Sequence, residues 1–206
     1  MRYASLLLTA AMCAAVASAQ QSSTPQYAQL VERLKNGDTS VDFGELRMAY
    51  AASPKYDFDT DAEARKSMFA ALQNRDYKRA IGIAEKALDQ DYVDMDAHFV
   101  LEQANKAGGD DKQAAFHHTV VKGLIESILK SGDGAGYDTA YKVIAIREEY
   151  IVLQVKGLQL IQQSLDRQGK HQFDVIEGAD EQKQRHRIYF NIDLPRAAEA
   201  KAFSGK

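Results

Sequence analysis

Between Tyr27 and Leu129 the apolar positions recur every three or four residues, the spacing of amphipathic helices. Tyr27, Leu30, Val31 and Leu34 form one stripe, which Asn36-Gly37-Asp38 stops. Asp42, or Ser40 before it, is placed to cap a second helix carrying Phe43, Leu46, Met48, Ala49 and Tyr50, and Ser53-Pro54 ends it. Past Gly132-Asp133-Gly134-Ala135-Gly136 the period changes to two. Tyr141–Ile146 is a β-branched run, and in Tyr150–Lys156 the residues Ile151, Leu153 and Val155 alternate with their neighbours. Leu158–Leu165 and Gln172–Ile176 follow, with a turn at Gly169-Lys170 between them. In the last strand Ile188, Phe190 and Ile192 face one side, while Arg187, Tyr189, Asn191 and Asp193 face the other. The pattern predicts an α+β fold: about six helices, then an antiparallel sheet of about five strands whose apolar face the helices cover.

The helical part contains an internal repeat. Residues 61–94 align with 95–128, with Arg75-Asp76 and Gly109-Asp110 at the same point and Ala80 matching Ala114. A small alanine there lets two antiparallel helices approach closely. These units resemble tetratricopeptide repeats. They depart from that pattern at Ala64 and Met68 in the first unit and at the turn of the second, which lacks an aromatic residue. Two such units cannot stand alone, so they are expected to pack on the C-terminal sheet. The resulting organisation is a helical subdomain at 27–136 holding the repeat-like units 61–94 and 95–128, a β subdomain at 137–195, and a tail at 196–206.

The first residues change the picture of where the chain works. Met1-Arg2 gives a short positive start, Leu6-Leu7-Leu8 centres an apolar stretch, and Ala17-Ser18-Ala19 supplies the small residues that signal peptidase needs. Residues 1–19 therefore read as a cleaved signal peptide and 20–26 as a flexible linker, which implies a periplasmic or secreted protein. The apolar stretch is shorter than the ~20 residues of a membrane span. Cleavage would remove Cys13, the one cysteine, so disulfides and thiol chemistry are not expected. Arg2 would leave too, moving the formal charge from −3 to −4. That balance offers no basic footprint for nucleic acid, and no later stretch is long and apolar enough to span a membrane.

Several segments carry a wider resemblance: Val41-Asp42-Phe43, Leu46-Arg47-Met48-Ala49-Tyr50, Ser131-Gly132-Asp133-Gly134 with Thr139-Ala140, and Glu148-Glu149-Tyr150. Gln163-Ser164-Leu165, Phe173-Asp174-Val175 and Tyr189-Phe190-Asn191-Ile192-Asp193-Leu194-Pro195 continue it. On these segments the chain resembles a domain-of-unknown-function family of exported proteins from Gram-negative bacteria. The resemblance implies helices followed by strands and an exported location, and it brings no activity with it.

Candidate chemistry is sparse. Gly108-Gly109-Asp110-Asp111 resembles the signature of cyclic-dinucleotide synthases, but it falls at a helix–helix turn. Gly132-x-Gly134-x-Gly136 precedes a strand instead of opening a helix, so it reads as a flexible joint and not as a dinucleotide loop. Asp57-x-Asp59-x-Asp61 begins like a calcium loop, yet Ala62 and Met68 stand where the glycine and the bidentate acid belong. His98, His117, His118, His171 and His186 make no ligand set, although His98 and Glu102 share a helical face. No metal or cofactor is expected. The remaining candidates are the carboxylate pair Glu148-Glu149 at a strand junction, with Tyr189, Asn191 and Asp193 on the polar face of the last strand.

These observations lead to an exported, non-enzymatic binding module in which helices and sheet together form a concave surface for a protein or peptide partner in the cell envelope. Two alternatives stand beside it: a periplasmic hydrolase-like enzyme using Glu148 or Glu149 with Asp193, and a structural subunit of an envelope assembly. Convergence of Glu149, Asn191 and Asp193 in one pocket would favour the enzyme.

Overall fold

The structure, a computed structural model, describes residues 23–58 and 62–204. The leader-like segment 1–19, with Cys13, and the positions Asp59, Thr60 and Asp61 of the calcium-loop-like stretch lie outside the described residues. Helix α1 (Ser23–Lys35) begins inside the expected linker, and α2 (Phe43–Ala51) starts where Asp42 accepts a hydrogen bond from the Glu45 N–H at 2.9 Å. This is the capping geometry its sequence predicts. Gly37, at φ +86°, takes the left-handed conformation that ends α1.

Helices α3 (Ala62–Gln73) and α4 (Tyr77–Gln90) form one hairpin, α5 (Met95–Gly108) and α6 (Asp111–Leu129) the next. The two turns are the same turn. Arg75 (φ 59°) and Gly109 (φ 83°) are both left-handed, and Asp76 and Asp110 cap α4 and α6 by accepting from Arg79 N–H and Gln113 N–H. The N–H groups of Asp76 and Asp110 return to Ala71 O and Asn105 O, each at 2.9 Å. Each partner in the first turn thus has its counterpart at the equivalent position of the second. Ala80 and Ala114 are both buried between the helices of their hairpins.

The C-terminal part departs from expectation in four places. Tyr150–Val155 is helical, with Lys156 as the cap: α7 runs from Ile146 to Val155. It is wedged between α6 and the sheet and buries Glu148, Glu149, Ile151, Val152 and Leu153, so it shows no clean polar stripe, and Ala145 before it provides no side-chain cap. The expected first strand shrinks to β1 (Tyr141–Lys142). The sheet has four strands among the described residues, in the order β1-β4-β3-β2, with β2 (Gln159–Gln168), β3 (His171–Ala179) and β4 (Arg185–Asn191). It is mixed: β2/β3 and β3/β4 are antiparallel, but β1 runs parallel to β4 because α7, the hairpin and a second turn separate them. Finally, the expected tail is helix α8 (Asp193–Ser204).

The glycine-rich joint is packed where flexibility was expected. Asp133 and Gly134 N–H both donate to Thr139 O, and Gly134 O accepts from Tyr189 N–H at 3.0 Å. One apolar core joins the two parts, running from Leu34, Leu46 and Met68 through Val100, Leu124 and Ile128 to Ile144, Val152, Ile176 and Phe190.

Candidate functional site at the first turn of α7

Four consecutive residues on α7 reach four different elements. A helical turn points successive side chains about 100° apart, so Arg147, Glu148, Glu149 and Tyr150 fan out around the axis. Each finds its own partner.

Arg147 crosses to α5, where Nε and a terminal amino group meet the two carboxylate oxygens of Asp96 at 2.7 and 2.8 Å. Glu148 turns into the core and receives a forked pair from Arg47 of α2, Nε to Oε1 at 3.0 Å and Nη2 to Oε2 at 2.5 Å. The same Oε2 accepts from the Ile144 N–H, while Arg47 also donates to Lys142 O and Ser127 Oγ. Both side chains of the pair are buried, so its satisfied geometry is what makes the charges tolerable there.

Glu149 points at the sheet. It is fully buried, and neither of its oxygens has a donor; on β3, Asp174 is also buried and its Oδ1 lacks one as well. Burial, then the negative charge of Asp174 beside it, pushes the Glu149 pKa up to about 9. Glu149 is therefore protonated at neutral pH, and its proton serves the otherwise orphaned oxygen of Asp174. The other oxygen of Asp174 accepts from the Gln163 side-chain amide on β2, whose carbonyl accepts from Tyr150 Oη at 2.9 Å. A chain of hydrogen bonds thus runs Tyr150–Gln163–Asp174–Glu149 across the face where α7 meets the sheet.

In front of this chain lies a cleft of about 710 Å³, bounded by Arg147, Tyr150, Gln163, Asp174, Arg196 and Phe58. A second cleft of about 480 Å³, on the far side of Arg147, is lined by Phe69, Phe99, Val121, Ile125 and Val155. Its Phe99 and Val155 are 40% and 49% exposed, high for residues in a concave wall. The two clefts share Arg147 and are together termed the trough: the larger is walled by α7, α8 and the sheet, the smaller by α3, α5, α6 and α7.

The five residues singled out by sequence do not form one site. Glu148 is occupied by Arg47. Glu149 lies beside the cleft, one carboxyl behind its wall. Tyr189 and Asn191 pair with Val175 and Phe173 on the sheet face opposite Asp174 and Phe190. There Tyr189 packs edge-on against Tyr137 at 4.9 Å, and Tyr137 donates to Asp166. Asp193 starts α8 and accepts from Gln172 N–H, Asn191 Nδ2 and His171 Nδ1, at 2.8, 3.1 and 2.5 Å. Partial burial pulls its pKa up, but these hydrogen bonds together hold it below the usual carboxylate range. It fastens the β3 start to the β4 end.

Asp174, Gln163, Arg147 and Arg47 belong to the site without standing in any chemical motif of the sequence. Arg47, Gln163 and Asp174 do stand in segments that carry the family resemblance, and Arg147 is adjacent to one. The histidines settle elsewhere: His98 and His117 meet Nδ1 to Nδ1 at 2.8 Å inside the α5–α6 hairpin, and His118 faces Glu102 at 3.2 Å. Among the described residues no group of three or more His, Cys, Asp or Glu is arranged to hold a metal ion, and no helix is long and apolar enough to cross a membrane.

Fold and site define a class: an α+β chain in which two equivalent helical hairpins are joined to a small mixed sheet through one helix carrying a buried carboxyl pair. A family model described as a domain of unknown function, DUF4919, matches residues 15–201, and the chain belongs to that family. No curated protein and no solved structure matches it.

Proposed function

We propose that the protein is an exported, non-enzymatic binding module that holds an extended stretch of a partner polypeptide in the trough at Arg147. The observation that carries this reading is the meeting of the two clefts on that one side chain. Their walls pair exposed apolar residues, Phe99 and Val155, with charged groups such as Arg147 whose ion pairs are already made. Such a surface rewards shape and apolar contact, with polar groups left to fix orientation. The likeness of the hairpins to tetratricopeptide repeats fits this reading, since stacked helix pairs commonly present grooves to peptides. Export rests on the signal-like residues 1–19, and N-terminal sequencing of the protein from fractionated cells tests it: a start near Gln20 is expected.

The binding test places a photo-crosslinking amino acid at Phe99 and irradiates the protein with an envelope fraction. A single, saturable adduct that disappears in Val155→Asp supports a partner in the trough. Absence of any saturable adduct overturns it.

One observation favours a second reading. Glu149 and Asp174 put a protonated acid and its acceptor beside the larger cleft, the arrangement acid–base hydrolysis uses, with Asp174 in the role that Asp193 was expected to fill. In that case Glu149→Gln and Asp174→Asn would each abolish turnover while leaving the protein folded.

A further inference from the structure

Strand β2 is exposed along its whole length, and it forms the edge of the sheet. Its outer side is a row of main-chain N–H and C=O groups facing away from β3. Natural edge strands are usually short, or guarded by lysine, proline or a covering helix. Gln159–Gln168 contains neither lysine nor proline. Leu160, Ile161 and Leu165 are 47%, 44% and 62% exposed. The single irregularity is the bulge between Leu160 and Gln162, near one end.

We infer that β2 pairs with β2 of a second copy of this chain, making a two-fold dimer with a continuous sheet. This goes beyond the trough reading and does not depend on it. The argument is self-complementarity, which an isologous contact demands. In a two-fold antiparallel pair that keeps equivalent faces together, residues whose numbers sum to twice the axis residue stand opposite. Ile161 is the extra residue of the bulge, so the regular stretch is 162–168, and its central residue, Leu165, is the axis that pairs all of it. In that register Leu165 stands opposite Leu165 of the copy, Ser164 opposite Asp166 and Gln163 opposite Arg167. The most exposed apolar side chain of the strand is thereby set against its own counterpart. The serine hydroxyl can donate to the carboxylate, and the amide oxygen can accept from the guanidinium. No like charges oppose, so the pairing escapes the penalty they would bring. The opposite edge, β1, is a strand of only two residues, so pairing closes at two copies and does not propagate.

Sedimentation velocity on the purified protein across the micromolar range tests this. The expected result is a concentration-dependent dimer, with Leu165→Lys and Leu165→Glu each weakening association at least about tenfold. Mixing the Lys and Glu variants should restore a heterodimer, which a folding defect could not produce. A wild type that stays monomeric, or a dimer unchanged in both variants, overturns the inference. A monomer that still crosslinks a partner through Phe99 would leave the trough reading intact.

Discussion

Glu149 on the first turn of α7 and Asp174 on β3 present their carboxyl groups to each other with both side chains closed off from solvent. Together they hold three of the buried polar oxygens that lack a hydrogen-bond donor among the described residues. A proton resolves the arrangement and is the smallest cation that can: it gives Asp174 a donor and removes one of two adjacent buried charges. The helical part and the sheet meet on this pair, so its protonation bears on how firmly they stay together.

Replacing Glu149 by Gln tests that link. The folded-state pKa is raised from 4.5 to about 9, so between those values the native state holds a proton that the unfolded chain has released. Stability then falls with rising pH by about 1.4 kcal/mol per unit across that window and levels off above it. A glutamine keeps the donor to Asp174 without a proton to lose. Glu149→Gln should therefore be more stable than wild type at pH 8, on the order of 3 kcal/mol, with a flatter pH profile. Urea denaturation at pH 5 and pH 8 measures both. Equal stability loss at the two pH values would mean that Glu149 acts only by packing.

The buried histidines push the other way. His98 Nε2 lies 3.1 Å from Tyr92 O, which can only accept, so Nε2 carries the proton and Nδ1 accepts from His117 Nδ1. Both rings are neutral; burial, with His117 adding to it for His98, lowers their pKa values to about 3 and about 4. Below pH 6.5 the unfolded chain binds protons that the native pair does not, so stability falls as pH drops. Glu149, with Asp91 and Asp94, whose pKa values burial raises, acts in the opposite sense, so the histidine contribution is read as the difference between variants. His117→Asn removes one of the two histidines, so between pH 6.5 and pH 4 its stability should fall less steeply with acid than that of the wild type, which Tm measured against pH for both proteins checks.

What was legible in the sequence is what local chemistry determines. The internal repeat could be read because turn, cap and small alanine lie within a few positions of one another, as Arg75-Asp76 with Ala80 and Gly109-Asp110 with Ala114 show. Helix α7 could not. Burial on several sides erases its polar stripe, and Ile151, Leu153 and Val155 alternate well enough to read as a strand. The candidate site was half visible. Glu149 stood out as part of an acidic pair, but its partner sits two elements away on β3, and the Arg47–Glu148 pair joins α2 to α7 across most of the helical part. Nothing in the spacing distinguishes Asp174 on the inner face of β3 from Asn191 on the outer face of β4. Only the strand register does that.

Arg47 and Glu148 give a second stability test. Arg47→Met leaves Glu148 buried against the Ile144 N–H alone, and stranding a buried charge costs about 3–5 kcal/mol. The double change Arg47→Met/Glu148→Met removes both charges and should recover more than half of that loss. Chemical denaturation of the three variants forms a double-mutant cycle. A single-variant cost below about 1 kcal/mol, the range of solvent-exposed pairs, would contradict the buried geometry.

The glycine joint before β1 supplies the sharpest contrast between neighbours. A Cβ on Gly132 would lie 2.3 Å from Thr139 O and 2.8 Å from Ala140 O, both main-chain atoms that cannot swing aside. On Gly134, whose φ is +71°, it would lie 2.5 Å from the Tyr141 ring, and the loop could no longer hold Tyr189 N–H at the same distance. On Gly136 it would meet nothing within 4 Å, at a backbone conformation open to any residue. Gly132→Ala should therefore cost about 3 kcal/mol or more, as overpacking against fixed atoms does. Gly136→Ala should be neutral or stabilise by up to about 1 kcal/mol, because alanine leaves the unfolded chain fewer conformations to lose. Thermal denaturation of the two single variants settles it. A joint that served only as a flexible link would tolerate both substitutions alike, whereas a packed joint must separate them.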